Sequence, residues 1–346
     1  MIQNWKRLKT DAVFRARMEK RAAIVAAVRD FFRSENFLEV ETPTVVAVPG
    51  MEPHLDPFRT SVTGLDGRRY DAHLITSPEY AMEKLLAGGL ERIFEITRTY
   101  RNSEPWDGGH NPEFTMIEWY RADAEYTTIM TDLERMVSAT ARAVTGSERI
   151  RFQGKEIDLS TPWPRMTVAE AFDRYTGIDL GRGIDDPERF RAVIEAKGCP
   201  LTPKDSFDDA FFKIFLRDIE PNLGLLKPLI LYEYPRSMAA LARLKTSDSR
   251  YAERFEAYCG GMELANAFSE LNDTAEQRRR LEEERALRQT LGKHDYGIDE
   301  QFLEAVGMMP VSAGIALGVD RLIMLLTDAA TISDVLFFPA KDLFYS

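Results

Sequence analysis

Residues 92–121, RIFEITRTYRNSEPWDGGHNPEFTMIEWYR, hold the densest set of groups able to do chemistry. Arg101, Glu104, His110, Glu113, Glu118 and Arg121 lie in or beside one polar loop, Arg101 to Asn111. Cations and carboxylates set this close could hold an anionic nucleotide and a cationic partner side by side. A solvated loop between two ordinary strands explains the same composition, so other stretches must decide.

Two do. In Ala252 to Asp273, strand-like runs flank Gly260-Gly261, a favoured two-residue hairpin turn. That turn pairs Tyr258 with Glu263 and makes Glu256 and Glu263 diagonal neighbours. Two carboxylates on one face repel unless a cation sits between them, and Mg²⁺ with nucleotide phosphates would suit. Asn266, Phe268 and Glu270 share the opposite face by strict alternation, so one site requires a bulge near Leu264–Ala265. Polar residues facing water are the plainer explanation. The other stretch is Gly314 to Leu326, a strand, Gly318, then a helix. Gly318 allows close backbone approach, and the helix start offers free N–H groups. Arg321 sits in the first turn, where an acid would favour the helix dipole, so it is expected to face an anion. Pairing with Asp320 or Asp328 is the alternative.

The elements around these stretches frame them. Ile93, Glu95 and Thr97 alternate with Phe94, Ile96 and Arg98 as a strand would, and Phe114 to Tyr120 reads as its partner. A helix is predicted over 10–36, capped by Asp11, then a short strand at 37–42 ended by Pro43. His73–Thr76 reads as a strand, and Ser77 as the N-cap of a helix with Pro78 at its first position. Glu79 there either favours the helix dipole or faces a ligand amine. Residues 126–145 read as helical. Residues 150–228 read as a mostly helical insert with helices at 167–175, 187–197 and 206–219. Leu229–Tyr234 reads as a strand.

Bulk composition narrows the classes. The 346 residues carry a formal net charge of −11, with 44% hydrophobic and 29% charged residues. That balance argues against a protein that mainly grips phosphate backbones. Cys199 and Cys259 lack metal-type spacing, so a disulfide scaffold is excluded and a reducing, cytoplasmic setting is expected. No apolar run reaches membrane-spanning length, and no secretory h-region opens the chain. The Walker-type loop and the glycine fingerprint of dinucleotide sites are absent. A nucleotide site here must use arginines and an antiparallel sheet.

Assembled in order, these stretches resemble the catalytic domain of class II aminoacyl-tRNA synthetases, of the lysyl type. Phe37-Leu-Glu-Val-Glu-Thr-Pro43 is similar to motif 1. Tyr100-Arg-Asn through His110-Asn-Pro-Glu-Phe-Thr is similar to motif 2, and Gly314-Ile-Ala-Leu-Gly-Val-Asp-Arg321 to motif 3. Thr76-Ser-Pro-Glu79 and the run from Glu263 to Asp273 resemble lysyl-type peptides. The likeness covers roughly residues 15–340. Motif 1 arrives by residue 43, leaving no room for an anticodon-reading domain. The chain therefore resembles the truncated paralogs that attach (R)-β-lysine to a lysine side chain of elongation factor P. Ala316, where lysyl-tRNA synthetases usually have glycine, and Trp119 agree with that.

The resemblance implies an α+β class II fold, a six- or seven-stranded mainly antiparallel sheet flanked by helices, as one catalytic domain over 1–346. It implies a homodimer, ATP and Mg²⁺ as cofactors, elongation factor P as acceptor, and no tRNA or membrane partner. Arg101 and Arg321 would be catalytic. ATP would meet Arg101, Asn102, Ser103, Glu104, His110, Asn111, Phe114, Glu263, Leu264, Gly318 and Arg321. The substrate, (R)-β-lysine or lysine, would meet Ser77, Pro78, Glu79, Glu118, Tyr120, Asn266, Phe268, Glu270 and Ala316. Glu256 and Glu263 would bind the metal. The sequence departs from the family pattern twice. The loop reads Arg-Asn-Ser-Glu with one extra residue, so the acid's role passes from Ser103 to Glu104. Ala267 replaces a glycine, which tightens the expected bulge. A stand-alone lysine-activating enzyme acting on tRNA or another acceptor is the rival enzyme. A non-catalytic paralog would not need Arg101, Glu256, Glu263 and Arg321 together.

Overall fold

The computed structural model describes residues 3–106 and 108–344, so Asp107 of the polar loop lies outside the described residues. Period-2 alternation in the long strands builds one eight-stranded sheet. Its strands are β1 (Leu38–Glu39), β2 (Arg92–Tyr100), β3 (Glu113–Ala122), β4 (Arg165–Thr167), β5 (Leu229–Tyr232), β6 (Arg254–Cys259), β7 (Met262–Ser269) and β8 (Ser312–Gly318). Their spatial order is β1-β2-β3-β8-β7-β6-β5-β4. The six central strands are antiparallel, while β1 and β4 add parallel to β2 and β5. The expected six or seven strands thus become six plus two short flanks. Ladders of two or three residues leave no alternation to read.

Helices cover one face of this sheet. They are α1 (Ala12–Ser34), α3 (Tyr126–Thr145) and α4 (Val319–Leu326), with α2 (Glu79–Ala87) elsewhere, at the rim of the open face. Asp11 caps α1 as expected, accepting from Phe14 N at 2.9 Å. Phe14, Ile24, Val28 and Phe32 of α1 meet Leu133 and Val137 of α3 and Leu322 and Ile323 of α4 over the strands. Trp119 is fully buried there, 4.9 Å from the Phe32 ring. Truncating a buried tryptophan to alanine typically costs about 3–5 kcal/mol, so this stack anchors the hairpin.

The open face carries what the helix face does not. The row Phe255–Ala267–Ile315–Trp119–Phe94 points into the helices. The adjacent rows point the other way. One runs Glu256–Asn266–Ala316–Glu118–Glu95, and the next Arg254–Phe268–Gly314–Tyr120–Ile93. Alternation alone therefore sorts core from site.

Several local expectations need correction. α2 starts at Glu79 behind Pro78, one residue later than expected, and Ser77 still serves its first N–H: the hydroxyl accepts from Glu79 N at 3.1 Å and also donates to Glu118. Residues 4–10 form a separate short helix ahead of α1. The hairpin turn has Gly260 and Gly261 both at positive φ, with Tyr258 opposite Glu263. The register shift leaves Leu264 as the extra residue, so the bulge lies where the spacing required it. Ala267 is clear of the bulge, in regular register between Phe255 and Ile315, and its missing glycine has no effect there. Residues 149–228 hold a small hairpin, β4 and several helices. Phe172, Phe190, Phe211 and Phe215 there pack onto Leu231 and Tyr258 of the sheet. Among the described residues no helix is long and apolar enough to cross a membrane.

Candidate active site

Two clefts open on the polar face and share Arg101, Met116, Asn266 and Ala316. The first suits an anion. Arg101 leaves the end of β2 and lies 5.2 Å from the Phe114 ring, and its Nε has no hydrogen-bond partner. Arg321, in the first turn of α4, donates to Glu263 O at 2.8 Å and lies 3.6 Å from Glu263 Oε2. Neither acid offered as its alternative partner holds it. Asp320 pairs with Arg21 at 2.5 Å and accepts from Thr115 N at 2.7 Å, while Asp328 accepts from Gln153 N. Two guanidiniums thus face one cleft, beside an aromatic ring and the start of a helix. That arrangement can neutralise a polyphosphate.

Glu104, His110, Asn111, Leu264 and Gly318 also line this cleft. Glu104 Oε2 lies 3.1 Å from His110 Nδ1, and that hydrogen bond holds the Glu104 carboxyl below its ordinary range. Ser103 is exposed at positive φ and Asn102 is exposed, so of the three residues after Arg101 only Glu104 reaches the cleft. Asn111 is committed on both sides, donating to Glu113 O at 2.6 Å and accepting from Ala340 N at 2.9 Å. Arg121 points away and pairs with Asp132 of α3 at 3.0 Å.

The second cleft is acidic. Ser77, Glu79, Glu118, Tyr120, Asn266 and Phe268 line it, with Ala316 on the wall it shares with the first. Glu118 is held by Ser77 Oγ at 2.5 Å and Tyr120 Oη at 2.8 Å. Burial pushes its carboxyl up to about 7 in spite of those donors. Glu270 is 1% exposed and neither of its oxygens has a partner. Burial, then the charges of Glu83, Glu79 and Glu118, raise it well above a normal carboxylate, and Glu79 is raised by the same kinds of cause. Such a chamber favours a cationic ligand group. Pro78 is buried at the start of α2 and does not line the cleft.

The proposed metal acids are near one another but unequal. Glu256 accepts from Tyr234 Oη at 2.6 Å and Tyr258 Oη at 2.5 Å on one oxygen, and from Arg254 at 2.7 Å on the other. A carboxylate has about four acceptor positions, so one remains. Glu263 is raised by burial and then by Glu256; Glu220 is pushed up to about 7 by burial and then by Glu263 and Glu256. Mutual repulsion at Glu263, Glu256 and Glu220 fits a divalent cation beside the Arg321 cleft.

The sequence reading missed Glu52 and Glu284 of the acidic cleft, Glu83, Glu220, Met116 and the role of Gly314. Glu83 follows Glu79 by four positions on one helix, a like-charge spacing that was visible. Gly314 interrupts a strand, which often marks a close approach. Glu220 and Met116 gave no local signal.

An antiparallel sheet whose polar face carries an arginine cleft and an acidic pocket, closed by a strand-to-helix turn, is the class II synthetase catalytic architecture. A family model described as tRNA synthetases class II (D, K and N) matches residues 3–342, and the chain belongs to that family. It is 40% identical over 323 residues to a lysine–tRNA ligase of Pelotomaculum thermopropionicum, covering 93% of this chain and 62% of that protein. Against the lysine–tRNA ligase of Moorella thermoacetica the identity is 40% over 320 residues, 92% of this chain and 64% of the relative. Against that of Agrobacterium fabrum it is 38% over 327 residues, 94% and 64%. The chain thus spans less than two thirds of these relatives.

Proposed function

We propose that the protein is an ATP-dependent ligase. It activates (R)-β-lysine as an adenylate and transfers it to a lysine side chain of elongation factor P. The observation that carries the activation step is the junction of the two clefts at Arg101, Met116, Asn266 and Ala316. A substrate ammonium held at Glu79 and Glu270, with Glu118 nearby, then leaves its carboxylate near Arg101, at the mouth of the nucleotide cleft. Both reactants are anionic at the reacting end. Arg101 and Arg321 offset that repulsion and the charge of the transition state, work that electrostatic groups do best when fixed in advance. The carboxylate attacks the α-phosphorus, diphosphate leaves, and the acceptor amine later displaces AMP. Mg²⁺, when bound through Glu263 and Glu256, supplies further neutralisation of the phosphates.

The choice of (R)-β-lysine rests on Ala316. It stands in register between Asn266 and Glu118, so its methyl projects into the wall between the clefts. The family resemblance associates that methyl with the paralogs that modify elongation factor P. The same resemblance supports a homodimer and a cytoplasmic setting.

The test is to incubate the protein with ATP, Mg²⁺, (R)-β-lysine or lysine, and either elongation factor P or bulk tRNA. The intact mass of the protein acceptor and the acylation of the tRNA are then read. A mass increase on elongation factor P alone supports the proposal. Charged tRNA moves the function to a stand-alone lysine-activating enzyme, and adenylate with neither acceptor modified removes both acceptors.

A further inference from the structure

Behind the acidic cleft lies a carboxylate for which neither the sequence pattern nor the proposed mechanism has a use. Glu83 is 1% exposed, one turn along α2 from Glu79, and its Oε1 has no hydrogen-bond partner. One oxygen each of Glu79, Glu83 and Glu270 lies within 4.8 Å of the other two. Both oxygens of Glu270, also 1% exposed, lack partners.

We propose that Glu83 is a further specificity-determining residue: with Glu79 and Glu270 it forms a tripod for the three N–H bonds of one primary ammonium. This rests on the reading of the cleft as the site of a lysine-like substrate. The geometry suits the group. An ammonium has three donors beside its carbon, tetrahedrally placed, and acceptors about 2.8 Å from nitrogen then stand roughly 4.6 Å apart. Three carboxylates leave no donor unmet and no room for an N-methyl group.

The surroundings leave the tripod without another cation. From β3 it is faced by Glu118 and Tyr120, and its Glu79 arm also by Glu52 and Glu284, all of them acids or a phenol. Lys84, the next residue on α2, is committed to Asp299 at 2.5 Å. Among the described residues no cation contributes to the charge state of Glu83 or Glu270. Glu118 is already satisfied by Ser77 and Tyr120, so the three open acids are the ones free to bind. Burial pushes Glu83 up to about 8, so without ligand the cluster stores protons that an incoming ammonium must expel.

The experiment compares the wild type with Glu83→Gln, a change that keeps shape and removes charge. Calorimetry reads binding of lysine, (R)-β-lysine, Nε-methyl-lysine and Mg²⁺ alone. ATP–pyrophosphate exchange reads activation, and thermal unfolding reads the fold. The wild type is expected to bind lysine or (R)-β-lysine at least tenfold more tightly than Nε-methyl-lysine, with affinity rising as pH approaches 8. Glu83→Gln is expected to weaken the primary amines at least tenfold, reduce the discrimination to below threefold and flatten the pH profile. Its ligand-free Tm should be equal or higher as pH approaches 8, because Glu83 can no longer ionise among the other acids there. Unchanged affinity and discrimination in a folded variant overturn the proposal, as does Mg²⁺ binding by the wild type that Glu83→Gln abolishes. Should Glu83→Gln not fold, Glu83→Asp withdraws the carboxylate by one methylene and must show the same ordering. Glu83-dependent binding without amino-acid-dependent exchange would leave the tripod standing and remove the activation reading. Normal exchange with no dependence on Glu83 would do the reverse.

Discussion

Gly314 and Glu270 approach so closely that a β-carbon on Gly314 would lie 2.6 Å from Glu270 Oε1. The same carbon would collide with the ring of Tyr120, its direct partner across the β3–β8 ladder. The Tyr120 ring, 2% exposed on β3, has no space to yield, and Glu270 could relieve its contact only by moving its carboxylate out of place. Gly314→Ala should therefore distort the acidic cleft and spare the nucleotide cleft. Overpacking of this kind costs about 1–3 kcal/mol. Amino-acid-dependent pyrophosphate exchange is expected to fall more than tenfold with ATP affinity within about twofold. A variant with normal exchange would show that the cleft is not the amino-acid site.

Arg101 and Arg321 face the same cleft but are anchored differently. Arg321 already donates to Glu263 O, whereas Arg101 Nε is free. Arg101→Lys keeps a charge and loses the planar fork, so it should reduce kcat by roughly 10²–10³, the typical cost of losing one donor aimed at developing charge. Arg321→Ala should chiefly weaken ATP. Steady-state kinetics with varied ATP separate the two, and an equal rise in KM with unchanged kcat for both would refute the division of roles.

Much of this was legible because alternation sorts residues onto faces. Spacing alone set Phe94 on the opposite face from Glu95, and required the extra residue that the structure assigns to Leu264. The unread parts share one physical cause: they depend on partners distant in sequence. Tyr234 reaches Glu256 from just beyond the end of β5, 22 positions away, and completes a set that Arg254 and Tyr258, two residues to either side on β6, only begin, so the near-saturation of Glu256 could not be seen from the hairpin alone. Arg21 claims Asp320 across 299 positions, which is why Arg321 is left to the cleft. Ser77 read as a cap because its type and its proline neighbour fit, and its hydroxyl does accept from Glu79 N, but its donation to Glu118 on β3 had no local signal. β1 and β4 are strands only because a longer neighbour offers an edge.

That Arg21–Asp320 contact makes a structural prediction. Asp320 is 1% exposed and joins α1, β3 and α4 through Arg21 and Thr115. Removing one partner strands the other charge, which typically costs about 3–5 kcal/mol. Asp320→Ala should lower stability by that amount in denaturant titrations, whereas Asp328→Ala, which loses one exposed contact to Gln153, should cost under about 1 kcal/mol. Equal losses would remove Asp320 from its place as the tie between the three elements.

The acids in and behind the second cleft predict an unusual dependence on pH. Glu83 is pushed up to about 8 and Glu118 up to about 7 by burial, from an ordinary 4.5. In the unfolded chain both release their protons near 4.5, so at neutral pH the folded chain holds more protons than the unfolded one. Stability then falls as pH rises. Their contribution is full below about 4.5 and is lost as pH passes through 7 and 8. The ligand-free Tm should therefore decline between pH 5 and 8.5. A bound ammonium needs the ionised carboxylates, so the Tm increment given by lysine should grow over the same interval. Glu270→Gln removes one charge from the cluster. It should shallow the ligand-free decline and abolish the lysine increment while an ATP-induced increment survives. Scanning calorimetry at four pH values, with and without each ligand, measures all three slopes. A ligand-free Tm that is flat or rises toward pH 8.5 would mean that these acids are ionised in the empty cleft.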